Sequence, residues 1–246
     1  MLGLKSALKR QAQARPELFN PLWRFYFKQK YELESYSSNN LNRKLAFDKI
    51  FKGNHWADEE SISGPGSTMS YTRVLRRQLP SLILKLSVKS LLDAPCGDFN
   101  WMQTVPLYNI DYIGGDIVEE LVDLLKQKFE GSRRHFTILD IVEGPVPSTD
   151  LWMCRDVLFH LPTEDCLAVL KNFAISNIRF LLTTTFSISR TNEPDINYGG
   201  YRPLNLRLPP FSLPRPVAIL DDFIYPYAPR EMAVWTNEQV RAALRL

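Results

Sequence analysis

The sequence predicts an α/β fold built on a mostly parallel sheet. From residue 90 onward, short apolar runs of strand length alternate with segments of helical period, and the first three of these strands each close on an aspartate. A strand, a helix and a further strand repeated in this way imply right-handed crossovers and a sheet covered on both faces.

The elements follow in order. Residues 90–95 read as the first strand, 112–117 as the second, 135–140 as the third, 151–157 as the fourth and 180–186 as the fifth. Between strands two and three, Val118, Leu121, Val122, Leu125 and Phe129 recur at helical spacing. Between strands four and five, Thr163 is placed to cap a helix that buries Cys166, Leu167, Leu170 and Phe173. Residues 187–230 hold eight of the seventeen prolines and no helical period, which predicts an extended insertion lying over a sheet end. A late strand follows at 232–235, and Thr236 and Gln239 have capping-box spacing before a last short helix. Upstream, 2–30 reads as helix and 31–42 as a polar connector. The expected organisation is a helical extension or lid over 1–60 and one α/β domain over 61–246.

Composition narrows the function. At 246 residues, 45% hydrophobic and 23% charged, the chain fits a single globular domain with insertions. A net charge of +3 is too small to argue for nucleic acid, although the first thirty residues carry seven basic side chains against Glu17 alone. Those bases read as the solvated face of an amphipathic helix. No window approaches a membrane span and the start lacks the apolar core of a secretory signal, so the cytosol is the expected compartment. Cys96, Cys154 and Cys166 lack metal-ligand spacing and are odd in number, which favours free thiols and predicts no metal centre.

The chemistry concentrates at residues 91–102, LLDAPCGDFNWM. An apolar strand ends in Asp93 and passes into a turn containing Gly97, the geometry that presents backbone N–H groups to a polar ligand. A dinucleotide fingerprint needs three glycines for the tight turn, the pyrophosphate approach and the helix packing. Only Gly97 is present, which counts against a nucleotide-dependent oxidoreductase. Asp116 closes strand two, where a carboxylate can accept from both hydroxyls of a ribose, and Asp140 closes strand three.

With these residues the chain resembles the class I S-adenosylmethionine-dependent methyltransferases over roughly 63–246. The resemblance implies a Rossmann-like three-layer sandwich with a mostly parallel seven-stranded sheet, extended here by N-terminal helix, and S-adenosyl-L-methionine as cofactor. It implies that the first turn holds the methionine part, with Asp93 near the amino group, Gly97 at the backbone approach and Pro95, Cys96 and Asp98 around them. Asp116 with Ile117 would then serve the ribose, and Asp140 with Ile141 the adenine. The single-glycine turn departs from the family's fuller glycine-rich loop.

Further candidates lie beyond the first three strands. In DLWMCRDVLFHLP, 150–162, the fourth strand's end would face cofactor and acceptor. There His160 suits a base with an ordinary pKa of about 6.5, Asp156 is a second catalytic candidate, and Arg155 faces the cofactor, an acidic substrate or Asp156. In SISGPGS, 61–67, Ser67 can cap a helix whose apolar face holds Tyr71, Val74, Leu75 and Leu79, and Ser67 or Arg73 can approach the cofactor's carboxylate, with His55 and Trp56 as lid residues. Tyr198, Tyr201, Arg202, Asn205 and Phe211, in 197–214, are the expected acceptor pocket. The triplet Pro209, Pro210 and Phe211 differs in place and first residue from the motif of amino-group methylation on nucleic acids. The expected activity is methyl transfer to oxygen or nitrogen of a small polar molecule, such as a sugar or other metabolite. The competing readings are a cofactor-binding module without turnover and an NAD(P)-dependent oxidoreductase.

Overall fold

The computed structural model describes residues 42–56, 58–192, 194–224 and 229–246. The helix and connector expected over 2–41 therefore lie outside the described residues. The first described element is helix α1 (Arg43–Lys52), which opens where the Asn42 side-chain oxygen accepts from the Leu45 N–H at 2.9 Å. Helix α2 (Arg73–Lys85) follows, and its N-cap is Thr72. Ser67 thus does not cap it: this serine ends a single 3₁₀ turn, Pro65–Ser67, one loop earlier.

The sheet comprises β1 (Ser90–Asp93), β2 (Asp111–Asp116), β3 (Arg134–Ile138), β4 (Leu151–Cys154), β5 (Phe180–Thr185), β6 (Ala218–Asp221) and β7 (Glu231–Thr236). Its order is β3-β2-β1-β4-β5-β7-β6, with the first five strands parallel and β7 antiparallel to both β5 and β6. Helices α3 (Glu119–Phe129), α4 (Thr163–Ile175) and α5 (Asn237–Leu244) complete the α-helices among the described residues, and short 3₁₀ turns lie at Met102–Thr104 and Leu158–His160. The strands were expected to run further than they do. Strand β3 stops at Ile138, leaving Asp140 in the loop beyond it, and β4 stops at Cys154 because Asp156 adopts a left-handed conformation, φ +55. Strand β6 falls inside the proline-rich stretch, where no strand was expected.

Alternation along the strands divides the core into two layers. Leu91, Met153, Leu182 and Val234 point to one face and pack with Leu75, Leu79, Leu121 and Val122 from α2 and α3. Leu92, Trp152, Leu181 and Trp235 point to the other and pack with Cys166, Leu170, Phe173 and Val240 from α4 and α5. Both faces of the sheet are therefore dry, which is why its strands read as continuous apolar runs. Thr163 is the first residue of α4 rather than its cap: its N–H and hydroxyl both donate to Asp195, at 2.8 and 3.1 Å. The capping box at the start of α5 is present, with Thr236 and Gln239 bonded reciprocally.

Candidate functional site

Strand order reverses between β1 and β4, and a cavity opens there beyond the carboxyl ends of the strands. Asp93 and Asp116 reach it as the last residues of neighbouring strands. The Asp93 carboxylate accepts from the Tyr112 hydroxyl at 2.8 Å, and burial pushes its pKa up to about 7 although Tyr112 and Arg155 favour the charged form. The Asp116 carboxylate accepts from the N–H groups of Gly97 and Val118, both at 3.1 Å, and burial raises it to about 6. One carboxylate thereby fixes the turn after β1 and the start of α3 at once.

Gly97 is the hinge of that turn. Its φ of +55 is left-handed, and a Cβ there would stand 2.3 Å from the Ser63 hydroxyl oxygen, which accepts from the Asp98 N–H at 2.9 Å. Asp98 does not line the cavity; its carboxylate accepts from the Ser61 hydroxyl at 2.8 Å and the Ile62 N–H at 3.0 Å, fastening the 61–67 loop over the turn. A single glycine suffices because this loop, held by serines, covers the turn from above. Gly97→Ala is expected to cost about 1–2 kcal/mol of backbone strain and to displace Ser63. A thermal melt reads it, and an unchanged midpoint would contradict the left-handed turn.

Asp140 lines the cavity with Ile141, but its two oxygens are held by Arg43, at 3.0 Å from Nε and 2.7 Å from a terminal nitrogen. Arg43 also donates to Asp165 at 2.6 Å, so α1 is tied to the β3 loop and to α4. Phe47, Ile50 and Phe51 of α1 line the cavity together with Ile117, Leu139 and Ile141. Sequence reasoning missed α1, although Asn42 followed by apolar residues at 46, 47, 50 and 51 carried a helix signal.

The β4 side of the cavity holds a buried ionic quartet. Arg155 donates to both oxygens of Asp222, at 3.1 and 3.0 Å, and to the carbonyl of Gly66 at 2.8 Å, and lies 3.3 Å from Asp156. Arg230 donates to Asp156 at 2.6 Å and stacks on the Tyr71 ring with its guanidinium carbon 4.7 Å from the centroid. Burial alone would raise the Asp156 pKa, but Arg155 and Arg230 pull it below the usual carboxylate range. Asp156, the second catalytic candidate, is thus held as a carboxylate between two arginines, which disfavours its taking up a proton. Asp222 and Arg230 were not singled out from sequence because their stretch of chain showed no periodic pattern.

His160 lines the same cavity, and its Nδ1 lies 2.6 Å from the Gly200 carbonyl. A carbonyl only accepts, so Nδ1 carries the proton and Nε2 keeps a lone pair. Burial lowers the ring's pKa to about 4 instead of 6.5. His160 is neutral across the physiological range.

Of the expected acceptor residues, only Tyr201 lines the cavity. Arg202 is buried, ion-paired to Asp195 and donating to the Leu161 carbonyl at 2.8 Å. Asn205 is buried and donates to the Ser189 carbonyl at 2.9 Å, and Phe211 is enclosed in the α4/α5 layer. Tyr198 packs against that layer under Arg43, whose guanidinium carbon lies 6.0 Å from its ring centroid. These four build the insertion rather than the pocket, because the prolines fold the chain down onto the sheet end. Pro95, Cys96, Ser67 and Trp56 do line the cavity. Among the described residues no group of three or more His, Cys, Asp and Glu is placed to hold a metal ion, and no helix is long and apolar enough to cross a membrane.

No protein-family model matches the chain, and no curated protein sequence does. Solved structures match its fold. The 1,6-didemethyltoxoflavin-N1-methyltransferase of Burkholderia thailandensis, with 1,6-didemethyltoxoflavin and S-adenosylhomocysteine bound, is 14% identical with a TM-score of 0.56 over 78% of this chain and 86% of its own. The magnesium protoporphyrin IX methyltransferase of Synechocystis, with S-adenosylmethionine bound, is 16% identical with a TM-score of 0.54 over 80% of this chain and 98% of its own. Human N-acetylserotonin methyltransferase is 17% identical with a TM-score of 0.44 over 59% of this chain, which spans 42% of that enzyme's length. At such identities the first two likenesses are ones of architecture: the chain has the Rossmann-like fold of the class I S-adenosylmethionine-dependent methyltransferases.

Proposed function

We propose that the chain is an S-adenosylmethionine-dependent methyltransferase acting in the cytosol on oxygen or nitrogen of a small polar acceptor. The supporting observation is the convergence of Asp93, Gly97 and Asp116 on one cavity at the point where strand order reverses. This set fits the cofactor part by part. Asp93 offers a buried carboxylate to an ammonium group, Asp116 offers one to paired hydroxyls, and the wall of Phe47, Phe51, Ile117, Leu139 and Ile141 suits a planar base. The net charge of +3 gives no reason to expect a nucleic-acid acceptor.

When bound, the cofactor supplies an electrophilic methyl carbon on a sulfonium. The chain's own residues have to position the acceptor and exclude water. The 61–67 loop, drawn onto Arg155 through the Gly66 carbonyl, closes the cavity from one side, and α1 closes it from the other. His160 faces the acceptor with Nε2 as a hydrogen-bond acceptor, orienting an O–H or N–H and taking its proton only as the new bond forms. Asp156 stabilises the arginines around it.

His160→Ala is expected to leave cofactor affinity near normal and to slow methyl transfer by about a hundredfold. Because the ring titrates near 4, the pH–rate profile of the native chain should show no histidine limb around its ordinary pKa; such a limb, lost in the variant, would contradict the assigned geometry. Incubation with isotope-labelled S-adenosylmethionine and a metabolite extract tests the activity itself. Labelled products are expected, whereas cofactor binding without any product would mark a binding module.

A further inference from the structure

The cavity's β4 side is a wall of rings. The His160 ring centroid lies 5.5 Å from that of Trp56, 4.4 Å from Phe159 and 6.1 Å from Tyr201, and all four residues line the cavity. The guanidinium of Arg230 extends this surface, stacked on Tyr71 and lying 5.7 Å from the Phe159 centroid. Contiguous π faces and guanidinium planes favour a flat ring, which meets them by offset stacking or edge contacts.

The hydrogen-bonding groups on this wall are unevenly provided. Two buried donors on cavity-lining residues, Trp56 Nε1 and Arg230 Nε, have no hydrogen-bond acceptor among the described residues. The Arg230 side chain is 9% exposed, and its Nε lies 3.6 Å from Asp222, beyond hydrogen-bond reach. Buried N–H groups without partners are costly, so they point to a partner that arrives with the ligand. The carboxylates that might have received hydroxyl protons, Asp156 and Asp222, are held by Arg155 and Arg230. A polyol needs several acceptors as well as donors, and with both carboxylates engaged this wall keeps His160 Nε2 as an acceptor beside the two donors.

We infer that the methyl acceptor is a planar aromatic or heteroaromatic compound that presents a carbonyl, carboxylate or phenolate oxygen to Trp56 Nε1 and Arg230 Nε. This rests on the methyltransferase reading above and narrows it away from sugars. A ring O–H or N–H also suits His160, since an acceptor made more acidic by its ring asks for orientation more than for a strong base.

The test is a ligand-observed NMR screen of the full chain saturated with S-adenosylhomocysteine, using a panel of hydroxybenzoates and hydroxyquinolines, uncharged rings and methyl glycosides. Saturation is first checked by titration, and failure there sinks the methyltransferase reading rather than this one. Given saturation, ring acids and ring carbonyls should bind and glycosides should not. Trp56→Phe, which keeps the ring and removes one N–H, should weaken the ring acids about tenfold and leave the cofactor product's affinity unchanged; Arg230→Lys, which keeps the charge, should do likewise. Binding of glycosides in preference to rings, no ring binding at all, or variants that weaken the cofactor product and spare the ring acids would each overturn the inference.

Discussion

Replacing Asp222 by asparagine is expected to destabilise the folded chain by about 3–5 kcal/mol. Asp222 is fully enclosed and accepts two hydrogen bonds from Arg155, while Arg230 approaches within 3.6 Å. The two arginines and the two aspartates balance in charge, and the quartet joins the ends of β4, β6 and β7 to the 61–67 loop. Burial alone would lower the Arg155 pKa, yet Asp156 and Asp222 beside it raise it, so the guanidinium cannot shed its proton to escape an unbalanced site. Asparagine keeps the shape and removes the charge, leaving two buried cations to share Asp156. Urea denaturation reads the loss as a lower midpoint. Replacing the bidentate pair together, Arg155→Met with Asp222→Leu, should recover most of the stability, because an apolar pair needs no dehydration of charge. A loss below about 1 kcal/mol for the single change would mean that the quartet is solvated and does not organise the pocket.

Asp116→Ala is expected to weaken S-adenosylmethionine binding by about 1.5–3 kcal/mol, since under the proposed placement the ribose hydroxyls would lose a charged acceptor, and the Gly97 N–H loses its partner. The same residue makes binding depend on pH. Burial raises Asp116 from 3.8 to about 6 and Asp93 from 3.8 to about 7, so the folded chain keeps protons that the unfolded chain releases. Their contribution to stability is whole below pH 3.8 and is lost as pH rises through about 6 and about 7. A ligand that takes both as carboxylates expels those protons, and its affinity therefore rises between pH ~5 and ~8. Calorimetry in buffers of different ionisation heat measures the proton release. In Asp116→Ala the component near pH 6 should vanish and that of Asp93 should persist at somewhat lower pH, because the Asp116 charge helps raise it; an unaltered profile would remove Asp116 from the cofactor's surroundings.

The parts of this fold that were legible in the sequence are those set by local pattern. Leu91 and Leu92, Met153 and Cys154, and Leu181 and Leu182 face opposite layers, and such doubly buried strands announce themselves as apolar runs. The capping box of Thr236 and Gln239 and the acids closing β1 and β2 are likewise local. What escaped depended on contacts distant in the chain. Asp222 and Arg230 acquire their roles only when β7 and β6 join the sheet beyond β5, and Arg43 only when α1 crosses to Asp140 and Asp165. Arg202 and Asn205 looked like pocket residues by type, but Asn205 satisfies the insertion's own Ser189 carbonyl and Arg202 ties the insertion to the Leu161 carbonyl after β4. The residue types before and after β4 were right for a site; their assignment to roles required knowing which arginine meets which aspartate.

Isothermal titration of the full chain with S-adenosylmethionine at neutral pH tests the central claim most directly. One site per chain, saturating below millimolar cofactor and weakened in Asp116→Ala, is the predicted result; no binding at millimolar cofactor, or tighter binding of NAD, would contradict it.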